Sequence, residues 1–126
     1  MKSVILLSMI FCHIVDDYKI QQGVLCNLKQ ESWWKENAPD NLYKKDYIIA
    51  LLMHGMSWSF MINLPLVVYC FISNISLEFV PYSFVFNAAI HAYTDDLKAN
   101  RKKINLILDQ LIHIVQIIIT FRLVVT

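Results

Sequence analysis

Glycine is almost missing: Gly23 and Gly55 are the only two in 126 residues. They stand too far apart for a Gly-rich loop and no lysine follows either one, which excludes the phosphate-cradling motifs of nucleotide-binding proteins. Charge is scarce as well. Asp, Glu, Lys and Arg make up 17% of the chain, against about 25% in an ordinary soluble domain, and the net charge is only +1. Nucleic-acid-binding domains are usually strongly basic, so that class is excluded too. Cysteine is limited to Cys12, Cys26 and Cys70. An odd number without a CxxC spacing argues against a disulfide framework or a thiolate zinc site, and the three read as free thiols in apolar surroundings. Apolar residues fill the space left over, at 57% of the chain with a mean hydropathy of +0.48. Disorder, which needs low hydrophobicity and high charge, is ruled out. The length fits one unit, residues 1–126.

The apolar residues gather in four stretches: Val4 to Val15, Tyr47 to Ile72, Phe79 to Tyr93 and Ile104 to Thr126. A membrane-crossing helix needs about 20 mostly apolar residues. The second and fourth reach that length; the first and third reach it only by including polar residues. The first has Lys2 before an apolar core, as a signal peptide does. However, His13 to Asp17 follows instead of a small-residue cleavage site, so it reads as a retained helix, continuing with a polar face towards Leu28. Between the stretches lie two basic clusters, one in the loop Lys29 to Asp46 with Lys44 and Lys45, the other at Lys98, Arg101, Lys102 and Lys103. Trp33, Trp34 and Trp58 read as interfacial or lipid-facing anchors.

Pro65 decides between two topologies. If it ends a helix, five short helices place the two basic clusters on opposite sides of the bilayer. If it only kinks one, four spans place both clusters on one side, leaving Lys2, Glu78 and Arg122 on the other. Positive residues concentrate in cytoplasmic loops, and proline is tolerated inside membrane helices. The expected fold is therefore all-α: an integral-membrane bundle of about four helices in the cell (inner) membrane, with the basic loops cytoplasmic and both termini outside.

Three of the four histidines have an aspartate four residues away: His13 with Asp17, His91 with Asp95, and His113 with Asp109. Positions i and i+4 share a helix face, so each pair points at a common place. Gln21 continues the His13 face, Asn87 and Lys98 the His91 face, and Gln116 the His113 face. His54 has no carboxylate nearby in sequence, but Gly55 and Ser57 beside it allow a close helix approach. His54, His91 and Asp109 lie six to eight residues inside the basic boundary, which at about 1.5 Å per residue is roughly 9–12 Å deep. Four spans then deliver four histidines and three aspartates to one layer.

Imidazole nitrogen and carboxylate oxygen together suit a divalent metal: zinc, manganese or iron. Ionisable residues at membrane depth are costly, and tend to be paired and functional. The candidate ligands are His13, Asp17, His54, His91, Asp95, Asp109 and His113. Asp17 and Asp95 are also candidate acid/base groups, and Lys98 a contact for an anionic group such as a lipid phosphate. Asp16 and Asp96 read as solvated neighbours of the motif aspartates. The function expected first is metal-dependent hydrolysis of a lipid-linked or otherwise membrane-delivered substrate. A second reading makes the cluster a structural hydrogen-bond network of a non-catalytic accessory protein with a membrane-protein partner. A third is a proton or ion pathway.

The segments His13 to Gln21 (H-x3-D-x3-Q), His91 to Lys98 (H-x3-D-x2-K) and Asp109-Gln110-x2-His113, together with the lone His54, resemble the motifs of the domain-of-unknown-function 3307 family. These are small integral-membrane proteins of bacteria and their phages, and the resemblance covers nearly the whole chain. It implies a polytopic helical fold and adds Gln21 and Gln110 to the motif set. Asp16 and Asp96 stand where the family usually has an apolar or aromatic residue, so which aspartate of each pair faces the site stays open. The family brings no established activity. A looser similarity to membrane-bound metal-dependent hydrolases implies hydrolysis by analogy alone.

Overall fold

The computed structural model describes residues 1–125. It is all-α, 82% helical, with no strand among the described residues. Helix α1 spans Lys2–Val15 and runs into a π-helical turn, Asp16–Ile20. Two short helices follow, α2 at Val24–Leu28 and α3 at Glu31–Asn37. Three long ones complete the chain: α4 at Asp46–Ile72, α5 at Phe79–Ala99 and α6 at Leu106–Val125.

Helix α4 continues through Pro65. The proline ring removes one backbone donor but does not end the helix, so the five-helix alternative is absent. What ends α4 is Asn74, whose φ of 54° places it in the left-handed region. The amide of Asn74 then bonds the carbonyl of Phe71 and that of Ile75 the carbonyl of Cys70, which closes the helix as a Schellman turn. Helix α6 starts on Asn105, whose side chain accepts from the Leu108 amide at 2.9 Å, an ordinary N-cap.

The expected continuation of the first helix to Leu28 is not found. The π turn breaks the α-helical register, with the Gln21 amide bonding the carbonyl of Asp16, five residues back. Gly23 then turns the chain at a φ of 71°.

The four long helices pack in the cyclic order α1, α4, α5, α6, with the most extensive contact between α4 and α5. Gly55 makes that contact possible: a Cβ there would stand 2.5 Å from the carbonyl oxygen of Ala88. One end of the bundle is apolar, built on Ile5, Met9, Ile62, Leu66, Ile117 and Val125. The other end holds the histidines and aspartates. Buried polar side chains outnumber buried apolar ones, fifteen to eleven among the described residues. Meanwhile Phe11, Phe60, Phe86 and Leu123 are among the many large apolar side chains left exposed. Two segments, Asn41–Ile72 and Leu106–Val125, are long and apolar enough to cross a membrane. At 14 residues α1 is the shortest of the four, and α5 carries the charged part of the cluster.

Candidate metal centre

Each long helix supplies the polar end of the bundle: α1 with its π turn gives His13 and Asp17, α4 gives His54, α5 gives His91 and Asp95, and α6 gives Asp109 and His113. All four histidines, Asp95 and Asp109 are buried, while Asp17 sits at the edge. Two groups of three converge: Asp17, His54 and His91, and then His91, Asp95 and His113, each with its ligand atoms within 4.8 Å of one another. His91 belongs to both groups. Its Nε2 lies 2.9 Å from Nε2 of His54 and 3.7 Å from Oδ1 of Asp17.

His13 is placed differently. Its Nδ1 accepts from the indole N–H of Trp58 at 2.8 Å, so its proton sits on Nε2 and is donated to Oε1 of Gln110 at 3.1 Å. Both nitrogens are engaged, and His13 stands beside the convergent groups. Gln110 turns its amide N–H groups to Asp109 at 3.0 Å and Asp17 at 3.4 Å, tying α6 to α1.

Two lysines enter the cluster. Nζ of Lys98 lies 2.6 Å from Oδ2 of Asp109, and Nζ of Lys29 lies 2.6 Å from Oδ2 of Asp95 and 3.3 Å from Nε2 of His54. Lys29 is aimed there by Asn100 at the end of α5, which donates to the Lys29 carbonyl and accepts from the Glu31 amide. With neutral imidazoles, three carboxylates against two ammonium groups leave one net negative charge, and the Asp16 carboxylate raises it to two.

Several buried atoms at the centre have no hydrogen-bond partner: Nε2 of His113, Oδ1 of Asp109, and Nδ1 of His54 and His91. An orphaned buried polar atom costs about 1–3 kcal/mol. Nε2 of His113 faces Oδ1 of Asp109 at 3.4 Å and Oδ1 of Asp95 at 3.8 Å. For a metal–nitrogen bond of about 2.0–2.1 Å, neighbouring donors stand roughly 2.9 Å apart at a right angle and 3.4 Å apart in a tetrahedron. The His54–His91 and His113–Asp109 separations, 2.9 and 3.4 Å, fall in that range, so the donor types and their pairwise spacing fit a divalent cation.

A cavity of about 310 Å³ opens onto this cluster, with Asp17, Gln21, Lys29, Lys98 and Gln110 on its wall. The chain also matches, over residues 5–126, the model of a family described as a protein of unknown function (DUF3307). The chain belongs to the DUF3307 family. No curated protein and no solved structure matches it.

In this DUF3307 chain the three i, i+4 pairs and His54 meet, but sequence patterning missed or misplaced three residues. Lys29 lies 66 positions from the aspartate it pairs with, and no periodicity links them. Trp58, expected at the lipid or interface, is fully buried and stacks on His91 at 4.3 Å between ring centroids. Asp16, expected in solvent, is fully buried and accepts from the Ser57 hydroxyl at 2.7 Å. The extra residue of the π turn lets two adjacent aspartates both face inward. Asp96 pairs outward with Arg101 at 2.7 Å, which leaves Asp95 as the aspartate of that pair facing the centre. Gln21 is buried beside Asp16.

Proposed function

We propose that this chain is a single four-span domain of a cell membrane that holds a divalent cation, zinc, manganese or iron, at the His/Asp centre. The reaction we assign it is hydrolysis of a phosphate or ester bond on a lipid-linked or otherwise membrane-delivered substrate. The observation that carries the metal is the facing pair, Nε2 of His113 and Oδ1 of Asp109. Both are buried, both lack a partner, and they lie 3.4 Å apart. With a bare lone pair on Nε2 the two atoms are both acceptors, and a cation between them makes that spacing stable.

The membrane assignment is supported by the inverted pattern of the bundle, polar within and apolar without. Large contiguous apolar surface marks a membrane or a partner, and closely packed helices can carry polar side chains through a bilayer when these face inward. Both basic clusters flank the end of the bundle that holds the centre, which makes that end cytoplasmic by the positive-inside rule.

His54, His91, His113 and the aspartates would hold the cation, with His13 orienting Gln110 and Asp17 from behind. When bound, a divalent cation lowers the pKa of a water molecule and polarises the bond to be cleaved. Asp17 stands both in a convergent group and on the wall of the opening, so it can accept a proton from water entering there. Asp95 is held by Lys29 and His54 and serves as the inner carboxylate of the same proton path. Lys98, with 29% of its side chain exposed, reaches the opening and can meet an anionic group.

Elemental analysis of purified protein tests this reading, with an Asp109→Ala/His113→Ala variant alongside. Stoichiometric metal in the native protein and none in the variant is expected; native protein without metal sinks it.

The second reading, a hydrogen-bonded network in a non-catalytic membrane protein, draws on the two 2.6 Å lysine–carboxylate pairs. These neutralise Asp95 and Asp109 without any metal ion. Chelation then leaves stability in detergent unchanged, whereas the metal reading has chelator lower it. A pathway for protons or ions would also have to pass Ile5, Leu66 and Val125 at the apolar end, beyond the buried Asn63 and Thr120.

A further inference from the structure

Behind His113 runs a file of buried polar side chains that the proposed chemistry does not use. Nδ1 of His113 meets Oε1 of Gln116 at 3.3 Å. The Gln116 amide donates to the backbone carbonyl of Asn87 at 3.3 Å and to its Oδ1 at 3.2 Å. Nδ2 of Asn87 donates to Oγ of Ser83 at 3.2 Å and to Oγ1 of Thr120 at 2.8 Å. Ser83 donates to Oδ1 of Asn63 at 2.8 Å, and Nδ2 of Asn63 donates to the Ser59 carbonyl at 2.8 Å. Gln116, Asn87, Ser83, Asn63 and Thr120 are all buried.

The direction of this file is set by its fixed points. The backbone carbonyls of Ser59 and Asn87 can only accept. Asn63 must therefore turn its NH2 to Ser59 and its oxygen to Ser83, which obliges Ser83 to donate and leaves the Ser83 oxygen to accept from Asn87. At the other fixed point, Gln116 must turn its NH2 to Asn87, so its oxygen faces His113. An oxygen there needs a donor, and the only one is Nδ1–H. A neutral imidazole with its proton on Nδ1 presents a bare lone pair at Nε2, the atom aimed at Asp95 and Asp109. Every donor in the file hands the hydrogen bond on from His113 toward the Ser59 carbonyl, so the bonds polarise one another in one sense. The file is not a proton wire, because an amide that takes a proton on oxygen must release one from nitrogen.

We infer that Gln116, oriented by Asn87 and the hydroxyls beyond it, is a positioning residue that locks His113 in the Nδ1–H form and makes its Nε2 a ligand atom. Trp58 imposes the opposite form on His13, whose Nδ1 accepts, so the two histidines are sorted into one ligand and one support. The lock itself is independent of any metal; its use as a ligand-setting device rests on the metal reading above. Groups that orient a metal-binding histidine typically change metal affinity about 10–100-fold when removed.

The test is 15N NMR of protein with labelled histidine, in detergent and in chelator, with His113 identified from the spectrum of His113→Ala. The wild type should show a protonated Nδ1 and a bare Nε2 at His113. Gln116→Leu should move the proton to Nε2, and Gln116→Glu, which keeps an acceptor, should restore Nδ1–H. A wild-type His113 protonated on Nε2, alone or together with Nδ1, overturns the lock. Zinc titration of the same samples separates the two layers. A 10–100-fold loss in Gln116→Leu with helicity retained supports the ligand-setting role, and an unchanged affinity overturns it. Nδ1–H in a wild type that binds no zinc upholds the lock while the metal reading fails.

Discussion

Nε2 of His54 and Nε2 of His91 stand 2.9 Å apart, brought together across the α4–α5 contact from 37 positions apart in sequence. Neither ring has a partner at Nδ1, so the pair is held by packing around the rings and by the groups that meet the Nε2 atoms, Lys29 and Asp95 beside His54 among them. Replacing His91 with alanine removes a donor common to both convergent groups. Cobalt titration should show a tetrahedral or five-coordinate visible spectrum in the wild type. In His91→Ala the affinity should fall by more than the roughly 10–100-fold typical of losing a supporting residue. An unchanged cobalt spectrum in the variant would show that His91 is not a ligand.

Gly55 sets how closely α5 approaches, and so where His54 sits. An alanine there would place Cβ 2.5 Å from the Ala88 carbonyl, a backbone atom that cannot swing aside. Overpacking of this kind costs about 1–3 kcal/mol, and the displacement falls on the neighbouring His54. Gly55→Ala should therefore melt earlier in detergent and also bind cobalt more weakly. A variant as stable as the wild type would mean that the helices separate freely here.

The three i, i+4 pairs were legible because helix geometry makes their faces a local property of sequence. Their common depth followed from counting residues inward from the basic clusters. The parts that could not be read are all long-range or irregular. The π turn at Asp16–Ile20 changes the register after His13 and turns Asp16 inward onto Ser57, and no spacing rule marks it. Lys29 reaches Asp95 across 66 positions, with Asn100 holding the chain beside it. Trp58 looked like a lipid anchor because it sits in an apolar run, yet its indole N–H finds His13 and its ring covers His91. Its partners lie on two other helices, where sequence periodicity gives no guidance.

That tryptophan can be tested by a substitution that keeps an aromatic ring while removing the donor together with part of the ring system. Trp58→Phe leaves Nδ1 of His13 buried without its partner, which costs about 1–3 kcal/mol, while a ring remains against His91. Thermal unfolding in detergent should register that loss. Equal stability would show that the indole bond does not hold His13.

Lys98 and Asp109 form a 2.6 Å pair whose carboxylate is fully buried. Removing one partner of a buried pair costs about 3–5 kcal/mol, less here because Lys98 is partly open to the cavity. Lys98→Met should be destabilised and Lys98→Met/Asp109→Asn less so. Under the metal reading zinc should recover part of the single variant's loss, about 2.7 kcal/mol at a hundredfold excess over Kd. If zinc recovers nothing, Asp109 is neutralised by lysine alone and the network reading gains.

The proposed four-span arrangement makes a prediction that does not depend on the metal. Lys44 and Lys103 belong to the two basic clusters and Ser76 to the α4–α5 turn, and all three are exposed. Single cysteines at these positions are to be introduced after Cys12, Cys26 and Cys70 are replaced by alanine. A membrane-impermeant maleimide should label Lys44→Cys and Lys103→Cys in inverted vesicles but not in intact spheroplasts, with Ser76→Cys showing the reverse. Lys44→Cys and Lys103→Cys reacting from opposite sides would mean either that α4 breaks, against its continuity through Pro65, or that α5 does not cross. Labelling of all three from both sides would place the bundle outside the bilayer, with its apolar faces covered by a protein partner instead.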